Sequence, residues 1–540
     1  MKRMKTKFLI SGLLTSALLL GACGADDAIE NNTSTEDSQE VAKEGFPIVE
    51  EPIKMSLMAP GTGLAEWKDM PTLQQYEEMT NIEFEYSTPP LNDFETNLNL
   101  AFASGDLPDI LFAPGTDSLT PAMEVDYGKQ GLLLPLNDLI DDYAPNLSQL
   151  MEERPDIRKS ITTSDGNIYA LPGIVDGDTA SWIRGPIWIN GDWMDALDIE
   201  EVPSTIDELY DMLVRFRDED PNGNGKADEI PLSDVKMDST RPWLLAAFGM
   251  KEWGIEEVND EVRYAPITDN YRGYLEFMNK LYEEELLDSE VFSQADEQKK
   301  AKGEENRLGM FPDWFSFFTT GQNEEDSIVN PMMGPLTSDY SEEPLFPINP
   351  GINRGTFAIS TTNPNPAAAI RWVDYMYSEE GYEFFNRGPE GYLWEWEDEE
   401  EGIKRYNPDI KATTREEYKG EITPFYGIST PGHETAMDPI GGEKTEFEKF
   451  ILKETEEKII PYGEVSYPLV YLTPEEQEIV GEIEVDLETY VRNSEAQFIT
   501  GELELTEEGW DNYISTIENM NLDEYIQVYQ DAFDRWKSSN

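Results

Sequence analysis

Histidine and cysteine occur once each in 540 residues, as His433 and Cys23, and basic residues are scarce: 40 Lys and Arg stand against 111 Asp and Glu, a formal net charge of −71. Each scarcity excludes a chemistry. Any Ser-His-Asp or Cys-His mechanism has to run through His433, and neither a His/Cys zinc cluster nor a disulfide can form within the chain. Nucleic acid is excluded as a partner, because that affinity comes from Lys and Arg neutralising phosphates and this chain is repelled. No G-x-x-x-x-G-K-[ST] loop occurs, so any nucleotide hydrolysis belongs elsewhere. Apart from the N-terminal segment there is no apolar run of spanning length. What is present is a foldable composition: 39% hydrophobic, with 12 Trp, 25 Tyr and 23 Phe, too apolar for a disordered acidic tail and sufficient for a large core. The length predicts two to four domain-sized units, since single cores stop growing near ~250–300 residues.

The N-terminus has the form of an export signal. Lys2, Arg3, Lys5 and Lys7 precede an apolar stretch from Phe8 to Leu20, too short for an ordinary spanning helix. Leu20-Gly21-Ala22-Cys23 follows and resembles the lipobox of bacterial lipoproteins, in which the thiol receives a diacylglycerol before cleavage. Residues 1–22 are therefore expected to be a lipoprotein signal peptide, with Cys23 lipidated and the protein held at the extracellular face of the cell membrane. The alternative is a plain signal peptide with an incidental Cys. Residues 23–46, rich in Asp, Glu, Ser, Thr and Asn, read as a flexible acidic linker, with order beginning near Pro47.

From there two periodicities alternate. Ile53, Met55 and Leu57 alternate as a strand, Leu73, Tyr76 and Met79 follow helical spacing, and Ile82, Phe84 and Tyr86 alternate again. Phe94, Leu98 and Phe102 give a helix whose start, Asn92 with Glu95, has capping-box spacing, and Asp109–Ala113 reads as a short buried strand. This order predicts a mostly parallel, helix-covered sheet. Asp165-Gly166 is a hairpin signal. A second alternating region starts near Ile187, with a helix opening at Ser204-Thr205 and Glu208 closing its capping box. Asn365-Pro366 begins a helix carrying Ile370, Val373 and Tyr377, and Thr473-Pro474-Glu475-Glu476 starts a mainly helical C-terminal region.

Several segments together resemble family 1 extracellular solute-binding proteins of ABC importers, in the long lipoprotein branch that binds oligosaccharides. They are Ala103-Ser104-Gly105-Asp106-Leu107-Pro108-Asp109-Ile110, Gly131 to Leu136, Asp165 to Pro172, Trp188 to Asp195 (departing from the family's "WIRKDWLD" at Asn190 and Gly191), Asn363 to Gly381, and Gly388-Pro389-Glu390-Gly391. The likeness runs from about Pro52 to the C-terminus. It implies an α/β, two-lobed periplasmic-binding-protein-like fold of type II, with a hinge, an interlobe cleft and a helical C-terminal region. Lobe 1 is expected over about 47–180 and 355–435, lobe 2 over about 181–354 and 436–540. Ligands of open α/β sheets sit beyond the strands' carboxyl ends.

The most explicit chemical segment is Asp220-Pro221-Asn222-Gly223-Asn224-Gly225-Lys226-Ala227-Asp228-Glu229. Oxygen side chains at loop positions 1, 3, 5 and 9, with Gly at 6, follow calcium-loop spacing, and Lys226 at 7 contributes its carbonyl. A regular EF-hand closes with Glu at position 12, which here is Pro231; the family loop implies Glu229 as the substitute. The expected cofactor is a structural calcium held by Asp220, Asn222, Asn224, Lys226, Asp228 and Glu229. An Asn/Gly-rich surface turn is the plainer alternative.

Sugars present hydroxyl edges and apolar C–H faces, so their sites combine flat aromatic rings with carboxylates, amides and Arg. The candidates in loop contexts are Trp67, Asp117, Trp182, Arg184, Trp314, Glu390, Tyr392 and Trp394. For any single Trp the plainer alternative is core packing, and for Arg184 a structural ion pair. The function that follows is capture of an oligosaccharide by a monomer and its delivery to ABC permease subunits, with no catalytic residues. Three alternatives share these features: a secreted carbohydrate-active enzyme, a peptide-binding transport lipoprotein, and a sensor for a signalling receptor.

Overall fold

In the computed structural model the described residues are 40–540, apart from 177, 178, 180, 411–414, 436 and 540. The signal segment, Cys23 and the linker up to residue 39 lie outside them. The alternating pattern after Pro52 forms β1 (Ile53–Met58), α1 (Pro71–Thr80), β2 (Ile82–Ser87), α2 (Leu91–Ser104) and β3 (Ile110–Phe112). β2 and β3 flank β1 in parallel, with Ile53 opposite Ile82 and Leu57 opposite Ile110. Asp109 locks this register: its carboxylate accepts from the Ser56 N–H at 2.7 Å and the Ser56 hydroxyl at 2.9 Å.

The complete sheet has six strands, ordered Gly432–Glu434, β4 (Ala170–Val175), Ile352–Ile359, β3, β1, β2. Ile352–Ile359 is antiparallel to both β3 and β4, so the sheet is mixed at its centre. The cause is connectivity. β1, β2, β3 and β4 all point their carboxyl ends one way, and the chain returns from a second core at that same end. Around this sheet lies one core containing Tyr76, Phe112, Trp372 and Phe385. Trp372 is 1% exposed, and its carbonyl accepts from the Tyr76 hydroxyl at 2.7 Å. Truncating such a residue costs about 3–5 kcal/mol.

The second core gathers Ile187 to Phe346 with residues from Phe447 onward. Its sheet has three strands, in the order Ile187–Ile189, Leu308–Pro312, Ile230–Leu232. The helices Asp269–Glu283 and Pro474–Thr500 pack beside each other over a buried ion pair, Arg241 Nε to Glu495 at 2.8 Å, which Tyr271 also joins at 3.2 Å. Among the described residues the chain passes between the cores three times, before Ile187, between Phe346 and Ile352, and between Glu434 and Phe447, and a further stretch, 465–473, leaves the second core and returns to it.

Three local expectations change. The Asn92–Glu95 capping box does not form, because α2 begins two residues earlier, behind Pro90, with no side-chain cap. Asp165-Gly166 makes a turn closed by Thr163 and Asn167, but it follows the helix Pro155–Ile161 and so is no hairpin. Residues 40–46, read as linker, seat on the first core: Phe46 meets Tyr375 edge-on at 5.1 Å and Arg371 donates to the Gly45 carbonyl. Among the described residues no helix is long and apolar enough to cross a membrane.

Candidate functional site

The carboxyl ends of the first sheet open onto a groove. Beyond β3, Ala113 (φ 55°) and Gly115 (φ 66°) turn the chain sharply into the short helix α3 (Gly115–Ser118), which carries Asp117. The loops after β1 and β2 are stitched together at Gly61, where a Cβ would lie 2.7 Å from the Thr88 carbonyl oxygen. These loops, with Asn353 and Arg354 from the returning strand, line a cavity of about 560 Å³. A second cavity of about 420 Å³ shares Thr116, Asn353 and Arg354 with it and adds Ile183 and Glu252. A third, of about 340 Å³, shares Ile183 and Glu252 and adds Arg184, Arg241, Trp253 and Arg492. The shared walls set the three cavities side by side as a groove from the first core, past the crossings, to the second.

Its second-core end is rich in guanidinium groups. Trp253 is approached by Arg241 and Arg492, whose guanidinium carbons stand 5.2 and 5.0 Å from its ring centre. Arg184 is exposed and makes no hydrogen bond or ion pair with the described residues. Burial raises the Glu252 carboxyl above its ordinary range, opposed by the charges of Arg241 and Arg184. Such a wall offers planar donors and an aromatic face, suited to a polyhydroxylated ligand.

Of the aromatic candidates, Trp182 and Trp314 come together. Gly185 makes this close approach feasible, since a Cβ there would sit 2.4 Å from the Asp313 carbonyl carbon. Trp182, 3% exposed, stacks beneath Trp314 at 6.2 Å and 20°, and Trp314 leaves 51% of its surface open. Asp313 fixes the base of the platform, accepting from the Trp314 N–H at 2.8 Å and the Thr319 hydroxyl at 2.8 Å. A backed, exposed indole is a ready surface for a sugar's C–H face.

The other candidates disperse. Asp117 lines the groove. Trp67, expected in the cleft, is 2% exposed and packs edge-on against Phe112 at 5.6 Å, because the turn Trp67–Asp69 tucks under the sheet. Glu390 and Tyr392 sit on an exposed turn and touch no wall of the groove. Trp394 opens the hairpin Trp394–Asp398/Ile403–Tyr406, where Lys404 covers its ring at 4.6 Å and its Nε1–H donates to the Gly388 carbonyl. Its face is occupied. An acidic cavity of about 560 Å³ beside this hairpin, lined by Glu383, Glu401 and Asp438, draws no residue from the second core.

Trp253, Glu252 and Arg354 were not among the candidates. Glu252-Trp253 repeats the acid-then-Trp order of Asp313-Trp314, whereas nothing local distinguishes Arg354, whose place depends on where the returning strand inserts.

The oxygen-rich loop follows the helix Ile206–Asp218 and is shaped by left-handed backbone at Asp220 (φ 50°), Gly223 and Gly225. Asp220 accepts from the Gly225 N–H at 3.1 Å, Asn224 from the Lys226 N–H at 2.8 Å, and Asp228 from the Asn224 amide at 2.9 Å. The Asn224 amide foremost, with the Asn222 amide and the charges of Arg307 and Lys226, holds the Asp228 carboxyl below its usual range. One oxygen of Glu229 is buried with no hydrogen-bond partner. No three His, Cys, Asp or Glu side chains among the described residues converge as a ready metal cluster, so the loop's capacity rests also on amides and the Lys226 carbonyl. An all-oxygen set with an orphaned carboxylate oxygen fits a hard cation.

Residues 61–383 match the family model for bacterial extracellular solute-binding proteins. A curated relative, the fructooligosaccharide ABC transporter substrate-binding protein FusA of Streptococcus pneumoniae serotype 4, is 28% identical over 548 residues, 98% of each chain. The polygalacturonan/rhamnogalacturonan-binding protein YtcQ of Bacillus subtilis is 24% identical over 549 residues, 97% of each. FusA solved with kestose superposes at TM-score 0.70 and 26% identity, covering 90% of this chain and all of that one. An EF-hand mutant of FusA with fructo-nystose gives 0.69 with the same identity, covering 90% of this chain and all of that one.

Proposed function

The chain belongs to the bacterial extracellular solute-binding proteins, and on that premise we propose that it is the lipid-anchored receptor of an ABC importer. It takes an oligosaccharide into the groove between its lobes and hands it, unaltered, to a membrane permease. The observation that carries this is the row of adjoining cavities, whose walls are drawn from two separate hydrophobic cores. Closure around cargo is then a hinge motion favoured by contacts that both lobes make at once. We divide the lobes at about 47–180 with 355–435, and 181–354 with 436–540. Asp117 on one side, and Arg184 and Trp314 on the other, are the proposed ligand contacts, with the buried Trp182 backing the Trp314 ring. The protein acts as a monomer at the outer face of the cell membrane, tethered through Cys23.

The loop Asp220–Glu229 is proposed to hold one structural calcium. Asp220, Asn222, Asn224, Asp228 and Glu229 supply side-chain oxygens and Lys226 its carbonyl. The bound ion would stiffen the loop ahead of the strand Ile230–Leu232, in the second core.

The deciding experiment is a thermal-shift screen of the mature protein with calcium present, against plant and algal oligosaccharides that include kestose and a galacturonide. A saturable rise in Tm with an oligosaccharide, and no cleavage products after incubation, is the expected result. No rise with any member, or release of shorter sugars, would reject the proposal.

A further inference from the structure

Beneath the groove floor lies a carboxyl that ligand contact does not use. Glu124, on α4 (Pro121–Lys129) of the first core, is fully enclosed. One oxygen accepts from the Tyr471 hydroxyl at 2.7 Å, and the other has no partner. Tyr471 sits in the stretch between the second-core strand Gly463–Glu464 and the helix Pro474–Thr500, so this bond ties the two cores together. Arg354 stands with its guanidinium 4.6 Å over the Tyr471 ring and donates to the Val470 carbonyl at 2.9 Å. The same Arg354 lines both of the cavities that meet at the crossing. Gly355 brings the backbone over the acid, for a Cβ there would lie 3.4 Å from the unpartnered Glu124 oxygen.

We propose that Glu124, Tyr471 and Arg354 form a proton-operated latch across the hinge, which sets Arg354 as a specificity-determining contact on the groove floor and Glu124 and Tyr471 as its positioning residues. The ligand half of this rests on the oligosaccharide reading; the latch itself does not.

The physics is that of an enclosed acid. Burial pushes the Glu124 carboxyl up to about 7, while the Tyr471 hydroxyl and the Arg354 charge act the other way. Around it stand Arg354 from the returning strand and Tyr471 from the lead-in stretch. Behind Tyr471, Arg535 donates to its carbonyl at 3.2 Å and pairs with Glu476 at 2.7 Å. A neutral carboxyl tolerates this enclosure; an ionised one with a single hydrogen bond does not. A hinge movement that admits water returns Glu124 to the ordinary Glu value of about 4.3. The latched arrangement therefore binds its proton more tightly than the unlatched one. Its population is greatest in acid, falls by up to about tenfold per pH unit as pH rises towards 7, and levels off above.

The test begins without ligand. Small-angle scattering of the mature, calcium-loaded protein at pH 5.5, 7 and 8 is expected to show the wild type expanding with pH and Glu124→Gln keeping the acid dimensions throughout. His433→Gln removes the chain's single imidazole and is expected to keep the wild-type response. The same pH response in wild type and Glu124→Gln, or no response in the wild type, overturns the latch. Calorimetric titration with kestose then reads the contact. Wild-type affinity should fall from pH 5.5 to 7 and level off, Glu124→Gln should stay at the acid value, and Arg354→Lys should bind at least about tenfold more weakly at every pH with its Tm retained. Wild-type affinity in Arg354→Lys overturns the role of Arg354. Absence of kestose binding in every variant counts against the ligand assignment, and the scattering result alone then decides the latch.

Discussion

Trp314 shows how one side chain can be held rigidly yet left open: its backbone is tied to Asp313, its ring rests on Trp182, and half of its surface faces solvent. Removing it takes little from the core, so Trp314→Ala should leave Tm nearly unchanged. It should weaken oligosaccharide binding by about 1–3 kcal/mol in calorimetric titrations. Glu124 behaves in the opposite way, since its enclosure makes it a liability once ionised. Its folded value near 7 lies above the unfolded value, so the native state binds the extra proton and wild-type stability falls as pH rises from about 4.3 to 7. Over that window Glu124→Gln should gain about 3 kcal/mol relative to the wild type and hold the difference above it, as read by denaturant unfolding at each pH. At this scale sequence is a partial guide. Trp314 and Trp394 have similar neighbours, but Lys404 from the opposite hairpin strand covers only the second. That distinction is made by a cross-strand pairing, which no local pattern carries.

Elements with strong end signals were legible nearly to the residue. Thr473 accepts from the Glu476 N–H at 3.2 Å while Glu476 accepts in return from the Thr473 N–H, as the spacing requires; at the Ser204-Thr205 start only half of the box forms, since Thr205 accepts from the Glu208 N–H but the Glu208 carboxylate accepts from the Ser204 N–H and hydroxyl instead of the Thr205 N–H. Thr473→Ala should cost about 1 kcal/mol in chemical denaturation. The Asn92–Glu95 spacing failed because Pro90 and the stitched loops at Gly61 had already fixed where α2 begins. Glu495, buried in the middle of a helix that reads as amphipathic, was invisible in sequence because its partner Arg241 lies far away along the chain. Glu495→Ala strands that guanidinium and should cost about 3–5 kcal/mol. For the Asp220–Glu229 loop, calcium should raise Tm and Asp220→Ala should abolish the rise in a differential scan; an unchanged calcium response in the variant would remove the ion from that site.

Across the whole molecule, a net charge of −71 is spread over two lobes that have to close on one another. Like charge opposes compact states, and salt screens it over a length of about 3 Å at 1 M. Raising NaCl to 1 M at fixed calcium should therefore raise Tm. The α/β class and the two alternating regions could be read from periodicity alone. What periodicity could not supply was the direction of Ile352–Ile359, because strand direction depends on the side from which a chain returns.

That strand has one more consequence. It fills the middle of the first sheet, setting Ile359 against Ile110 and Phe357 against both Phe112 and Leu171, and the edge strand Gly432–Glu434 comes later still. The second core in turn waits for the helices beyond Pro474. Each half is therefore stitched from distant parts of the chain: the first sheet is complete only once Gly432–Glu434 has joined its edge, and the second core only once the helices beyond Pro474 have packed.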